Sequence, residues 1–181
     1  MTHGRITSIT GSTVTGKRTG ADKAAMESDM DKYVCSRTDD FCHYLKKGAI
    51  PPDLPESNAQ NGVVIEAFLE TAKRFVRGGY DVYVDGIVGP WFLEPWLGAA
   101  RKGYEVHYIV LRASREITLR RAVERSKLDL KTNTELVKIM WEQFCELGKY
   151  EANVIDTTEQ TVSETVQSIK AHLKSGQNRI K

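Results

Sequence analysis

Seven residues constrain this chain more than any others: Gly11-Ser12-Thr13-Val14-Thr15-Gly16-Lys17, which follow Arg5-Ile6-Thr7-Ser8-Ile9-Thr10, a stretch that reads as a short strand. The spacing is G-x-x-x-x-G-K. Glycines at its ends let the backbone curl so that successive N–H groups face one anion, and a helix starting there adds its positive end. Lys17 supplies a mobile point charge that can follow a phosphoryl group as it moves. Gly11, Ser12, Thr13, Val14, Thr15, Gly16, Lys17, Arg18 and Thr19 are therefore the expected nucleotide-phosphate site. One position departs from the pattern. A Ser or Thr is wanted after the lysine to hold Mg²⁺, and Arg18 stands there, with Thr19 one place late. The alternative is a Gly- and Thr-rich turn that fits the spacing by chance. Its place after a strand argues against that, because such loops follow the first strand of an α/β domain.

With 181 residues, 40% hydrophobic and 28% charged, the chain is expected to form one globular domain over 1–181. A net charge of +2 is too mild to imply a nucleic-acid surface, so nucleic acid is not an expected partner. The basic stretch Lys174–Lys181 reads as a frayed end. No apolar run has membrane-spanning length and the N-terminus lacks a signal-peptide core, so no membrane association is expected. Cys35, Cys42 and Cys145 are odd in number and lack C-x-x-C spacing, which fits a reducing cytoplasm. Cys42-His43 stands apart from any other ligand cluster, and a structural role is expected for it. The sequence leaves self-association open.

Along the chain, helices are expected at about Lys17–Asp31, Ala59–Val76, Glu94–Lys102, Arg115–Lys127, Asn133–Lys149 and Val162–Lys174. The first has only a thin apolar stripe of Ala21, Ala24, Ala25, Met26 and Met30, and Gly20, Asp22, Ser28 and Asp29 weaken it. Strands are expected at Tyr33–Arg37, Tyr80–Val84, Tyr104–Leu111 and Asn153–Ile155. Thr132-x-x-Glu135 and Thr161-x-x-Glu164 read as capping boxes at two helix starts. Alternation of strand and helix implies a parallel sheet covered on both faces. The carboxyl ends of its strands then gather Gly11–Thr19, Thr38–Phe41 and Asp85–Trp91 on one edge.

Asp39 and Asp40 end the second strand. A carboxylate there can accept a proton from an attacking hydroxyl, support Mg²⁺ through water, or cap the next helix. Asp39 is favoured as base, and Asp40 as the helix-start or metal-associated residue beside the acceptor. Asp85 closes an apolar strand opposite the loop, a position that suits Mg²⁺ or an acceptor, although Asp85-Gly86 also makes an ordinary turn. Arg121 and Arg125 share a helical face and can neutralise charge on transferring phosphate, or form a solvated surface. Lys127–Lys131 reads as a short lid, spanning about 126–132. Trp91, Phe92 and Trp96 either wall an acceptor pocket or belong to the core.

With these residues in place, the chain resembles P-loop small-molecule kinases over about Ile6 to Leu173. It is similar to the chloramphenicol phosphotransferase-like group, with a looser likeness to gluconate and shikimate kinases. The likeness rests on Thr38-Asp39-Asp40-Phe41, on Asp85–Leu93, on His107–Arg112 with Arg121 and Arg125, and on Val154–Thr158. It implies a three-layer P-loop fold whose five-stranded parallel sheet has the order 2-3-1-4-5. It further implies ATP phosphates on Gly11–Thr19, Asp39 as the base for an acceptor hydroxyl, Arg121 and Arg125 near the phosphates, and Asp156–Thr158 near the adenine. The region near 41–77 would face the acceptor. Arg18 leaves three options for Mg²⁺. Thr15 or a displaced Thr19, with Asp85, holds the ion; Arg18 replaces part of its charge; or the protein binds nucleotide as a sensor and transfers phosphate poorly. A polynucleotide 5′-hydroxyl kinase is a further alternative, disfavoured by the mild charge.

Overall fold

The computed structural model describes residues 4–125 and 130–181, with side chains described over 4–124 and 134–181. Strands Arg5–Thr10 (β1), Tyr33–Arg37 (β2), Asp81–Asp85 (β3), Glu105–Arg112 (β4) and Val154–Asp156 (β5) form one sheet. Its order is β2-β3-β1-β4-β5 and every pairing between them is parallel, as the resemblance implied. The helices are Lys17–Met26 (α1), Thr38–His43 (α2), Asn58–Arg77 (α3), Glu94–Arg101 (α4), Arg115–Arg125 (α5), Leu130–Phe144 (α6) and Val162–Ser175 (α7).

Alternation along the central strands builds two cores. Ile6, Val82, Val84, Val106, Tyr108 and Val110 face one way, onto Phe68, Leu69 and Val76 of α3, Trp96 of α4 and Phe144 of α6. Ile9, Tyr83, Ile109 and Leu111 face the other way, onto Ala21, Ala24 and Ala25 of α1 and Val166 and Ile169 of α7. Each large apolar side chain buried in this way stabilises the fold by about 1.5–3 kcal/mol. The thin stripe of α1 now has a reason. Small residues let this helix lie close to the sheet, and at Gly20 a β-carbon would already stand 3.6 Å from the side chains of Ile169 and Leu111.

Several boundaries move for local reasons. α1 stops at Met26 rather than near Asp31 because the next residues serve the sheet. Ser28 Oγ donates to Asp81 (2.5 Å) and Arg5 Nη2 donates to Asp29 (2.5 Å). Arg5 also grips the buried Asp81 through two bonds of 3.0 and 2.8 Å. β2 ends at Arg37, so Asp39 and Asp40 lie in the first turn of α2 and neither is its N-cap. α6 begins at Leu130, which puts Thr132 inside the helix instead of at its start. It ends at Phe144, where Arg112 of β4 donates to the carbonyls of Phe144 (3.1 Å) and Cys145 (3.0 Å). The capping box at Thr161 and Glu164 is present.

The basic tail is a correction: it docks. Tyr108 N–H donates to the Asn178 carbonyl (2.9 Å) and Ile180 N–H to the Val106 carbonyl (3.0 Å). A short antiparallel bridge joins Arg179 to His107, and Ile180 is buried in the core. The expected lid falls partly outside the described residues, at 126–129, and the side chain of Arg125 lies outside them as well. No helix among the described residues is long and apolar enough to cross a membrane.

Candidate functional site

The loop between β1 and α1 is shaped by its glycines. Gly11 has a φ of 136°, and a β-carbon there would sit 2.1 Å from the carbonyl oxygen of Leu111. Only glycine fits that approach to β4. Gly16 is left-handed (φ 87°) at the N-cap of α1, and no side chain caps the helix, so its first-turn N–H groups face the loop. Val14 also has a positive φ of 56°, a strained conformation for a β-branched residue and one that clusters at ligand loops. Lys17 is buried and its Nζ donates to the Ser12 carbonyl at 2.5 Å, where Thr15 Oγ1 donates as well at 3.0 Å. The lysine thus lies folded across its own loop.

On one flank of the loop stand carboxylates. Asp85 ends β3, is largely buried, and meets Arg18 Nε at 3.8 Å. Burial pushes its carboxyl above the usual aspartate range, Lys17 and Arg18 pull it back, and the charge of Asp39 pushes it up again. Asp39 comes close because α2 packs tightly on the segment after β3: a β-carbon on Gly86 would lie 2.2 Å from Thr38 Oγ1. Asp40 follows in the same turn with its side chain exposed. Two bonds fix the Gly86–Gly89 segment. Val88 N–H donates to Thr10 Oγ1 and Tyr108 OH donates to the Val88 carbonyl, both at 2.8 Å.

The two tryptophans part company. Trp91 is half exposed, lies over Gly89, and packs edge-on against Phe144 with ring centroids 5.5 Å apart. Trp96 is fully buried beside Phe68, centroids 6.3 Å apart. Trp96 therefore belongs to the core, and a pocket-wall role is left to Trp91 alone.

On the other flank is a cavity of about 380 Å³ between the loop, α5 and the start of α7. Val14, Gly16, Thr19, Arg121, Thr157 and Gln160 line it. Arg121 Nη2 donates to the Thr157 carbonyl at 3.2 Å, which ties α5 to the segment after β5. Asp156 braces that segment by accepting from Thr158 N–H (2.8 Å) and Oγ1 (2.5 Å), and Thr158 Oγ1 accepts from Ser114 N–H (2.8 Å). Of the Asp156–Thr158 segment, Thr157 lines the cavity and its two neighbours brace it from behind. Thr157 Oγ1 and Gln160 Oε1 are buried there with no hydrogen-bond partner among the described residues, as is Thr13 Oγ1 of the loop. Such groups are costly unless ordered water or a ligand satisfies them. No motif marks Gln160, whose place after the last strand is its one signal in the sequence.

Magnesium would find no hydroxyl on the residue after the lysine. An ion at such a loop takes a hydroxyl from the residue after the lysine, whereas a guanidinium offers donors and no lone pair. The guanidinium of Arg18 instead pairs with Asp85, the carboxylate expected to support the ion. Thr15 and Thr19 both line the cavity on the opposite flank, and the Thr15 hydroxyl donates to the Ser12 carbonyl at 3.0 Å. Among the described residues no three His, Cys, Asp or Glu side chains group to hold a metal.

No family model matches the chain, and no curated protein matches it at a significant level. Solved structures do match in fold. The chain is similar to the APS kinase of Mycobacterium tuberculosis in complex with AMPPNP and APS, at 15% identity and TM-score 0.68, covering 96% of this chain and 99% of that one. It is similar to a gluconokinase from Sinorhizobium meliloti 1021, at 16% identity and TM-score 0.65, covering 96% and 93%. It is also similar to the Deinococcus radiodurans tunicamycin resistance protein, at 16% identity and TM-score 0.64, covering 98% and 99%. The fold of this chain is thus the fold of small-molecule kinases.

Proposed function

We propose that the protein is an ATP-dependent phosphotransferase that moves the γ-phosphate of ATP to a hydroxyl of a small molecule. The observation that carries this reading is the convergence at one sheet edge of a strained anion loop with a buried lysine, a paired carboxylate flank, and a cavity on the other side. Nucleoside and base would occupy the cavity beside Thr157 and Arg121, with the phosphates on Gly11–Thr19. The acceptor would approach from the Asp39, Asp85 and Trp91 side, with Asp40 at its margin.

In the transfer, the acceptor oxygen forms a bond to the γ-phosphorus while the bond from that phosphorus to the β–γ bridging oxygen breaks. ADP leaves and the hydroxyl proton passes to Asp39. Lys17 follows the moving phosphoryl group, and Arg121 supplies positive charge from α5. A chloramphenicol phosphotransferase-like acceptor, an antibiotic or other metabolite with a free hydroxyl, is the finer reading. The similar folds of a gluconokinase and a tunicamycin resistance protein put polyols and antibiotics in the same test panel. The experiment is ATP consumption across that panel, with the phosphorylated product identified by mass spectrometry. ADP release with no phosphorylated product from any acceptor would defeat the reading.

A second reading has its own observation. The Arg18–Asp85 pair stands where a kinase organises its metal, which favours a nucleotide-binding sensor with weak transfer. Saturable ATP binding without turnover on the whole panel would select it.

A further inference from the structure

We propose that Arg18 is a built-in counter-cation for the bound nucleotide, taking over charge that Mg²⁺ carries elsewhere, so that nucleotide binds with little dependence on the ion. The inference rests on the reading of Gly11–Thr19 as a nucleotide-phosphate site.

Three observations carry it. Arg18 is the second residue of α1, directly after Lys17, where the first-turn N–H groups face the loop. Its side chain is 62% exposed, and it meets Asp85, itself 12% exposed, at 3.8 Å. A pair that long and that wet is weak, so phosphate oxygens can displace the carboxylate. The guanidinium is also the better partner for phosphate, because its fork of donors matches two oxygens at once.

The two threonines nearest the lysine line the cavity on the flank away from Asp85. Thr15 donates to the Ser12 carbonyl. Asp85 then acts as the resting partner of Arg18, holding it beside Lys17 until an anion arrives. Two adjacent cations, one largely buried and one exposed, would meet the phosphates together.

The test is calorimetric titration of ATP into the full chain at constant ionic strength, in excess Mg²⁺ and in chelator. Four proteins are compared: the unmodified chain, Arg18→Thr, Arg18→Gln and Lys17→Ala, each checked for folding by thermal melting. In the unmodified chain the two affinities should agree within about threefold. Arg18→Gln should bind about tenfold more weakly in chelator, and Arg18→Thr should regain about tenfold when Mg²⁺ is added. Binding by the unmodified chain that requires Mg²⁺ by tenfold or more, with Arg18→Gln unchanged, overturns the role of Arg18 and leaves the nucleotide site standing. Absence of ATP binding by the folded, unmodified chain under both conditions overturns the nucleotide reading, and this inference with it.

Discussion

Asp85 is buried beside Lys17 and Arg18, while Asp39, whose charge reaches it, stands exposed on the first turn of α2. An exposed carboxylate can take a proton from an acceptor and return it to water, whereas the buried Asp85 is cut off from that exchange. Asp39→Asn is therefore expected to lower kcat by about 100-fold or more, the usual size of a general-base contribution. Nucleotide affinity should change by less than about threefold. Steady-state kinetics on an identified acceptor checks this, and an unchanged kcat would remove Asp39 from the base role. Lys17, Asp39 and Asp85 were legible because their chemistry is local to a motif or a strand end. Thr10 and Tyr108 were not. They act through Val88, 78 and 20 residues away in the chain, and only the sheet brings them there. Trp96 was half legible: its position after a Pro within an aromatic cluster suits a pocket wall or a core equally, and the packing of α4 against α3 decides for the core.

The elements show where pattern succeeds and where it stops. α3 and α7 carry strong apolar stripes with clear stops, and their observed bounds fall within one residue of the expected ones. α1 lacks such a stripe because alanines and Gly20 serve close packing rather than volume. The tail departs from its composition for a different reason: it is basic and polar, but Asn178 is fully buried and ties three segments together. Its Nδ2 donates to the carbonyls of Tyr108 (3.3 Å) and Asn153 (3.1 Å), and its Oδ1 lies 2.6 Å from His172 Nδ1. Asn178→Ala leaves these groups short of a partner, a cost of about 1–3 kcal/mol. In a chain of this size the loss is expected to lower Tm by roughly 2–10 °C, a shift that calorimetric melting resolves. An unchanged Tm would mean that the tail is frayed after all.

For the whole molecule, alternation of strand and helix sufficed to give a parallel sheet with two covered faces, and the strand order came with the resemblance rather than with any periodicity. Stability should also depend on pH in a readable direction. His107 is buried under the tail, with Glu105 at 2.9 Å and Arg5 and Arg179 nearby, and burial outweighs Glu105 to hold its pKa below the ordinary 6.5. A histidine whose folded pKa is lowered binds protons more weakly when folded. Its contribution is present above pH 6.5 and is lost as pH falls through the lowered value. Tm should therefore fall as pH drops from about 7 to about 5, and less steeply in His107→Gln. Identical slopes in the two proteins would place the acid sensitivity elsewhere.

That the strained loop and its buried lysine form a nucleotide-phosphate site is open to direct measurement. Calorimetric titration of ATP into the unmodified chain and into Lys17→Ala tests it most directly. ATP should bind saturably at one site per chain, and about tenfold or more weakly in Lys17→Ala, whose melting temperature stays within a few degrees of the parent. Equal ATP affinity in the two folded proteins, or no binding by either, would contradict it.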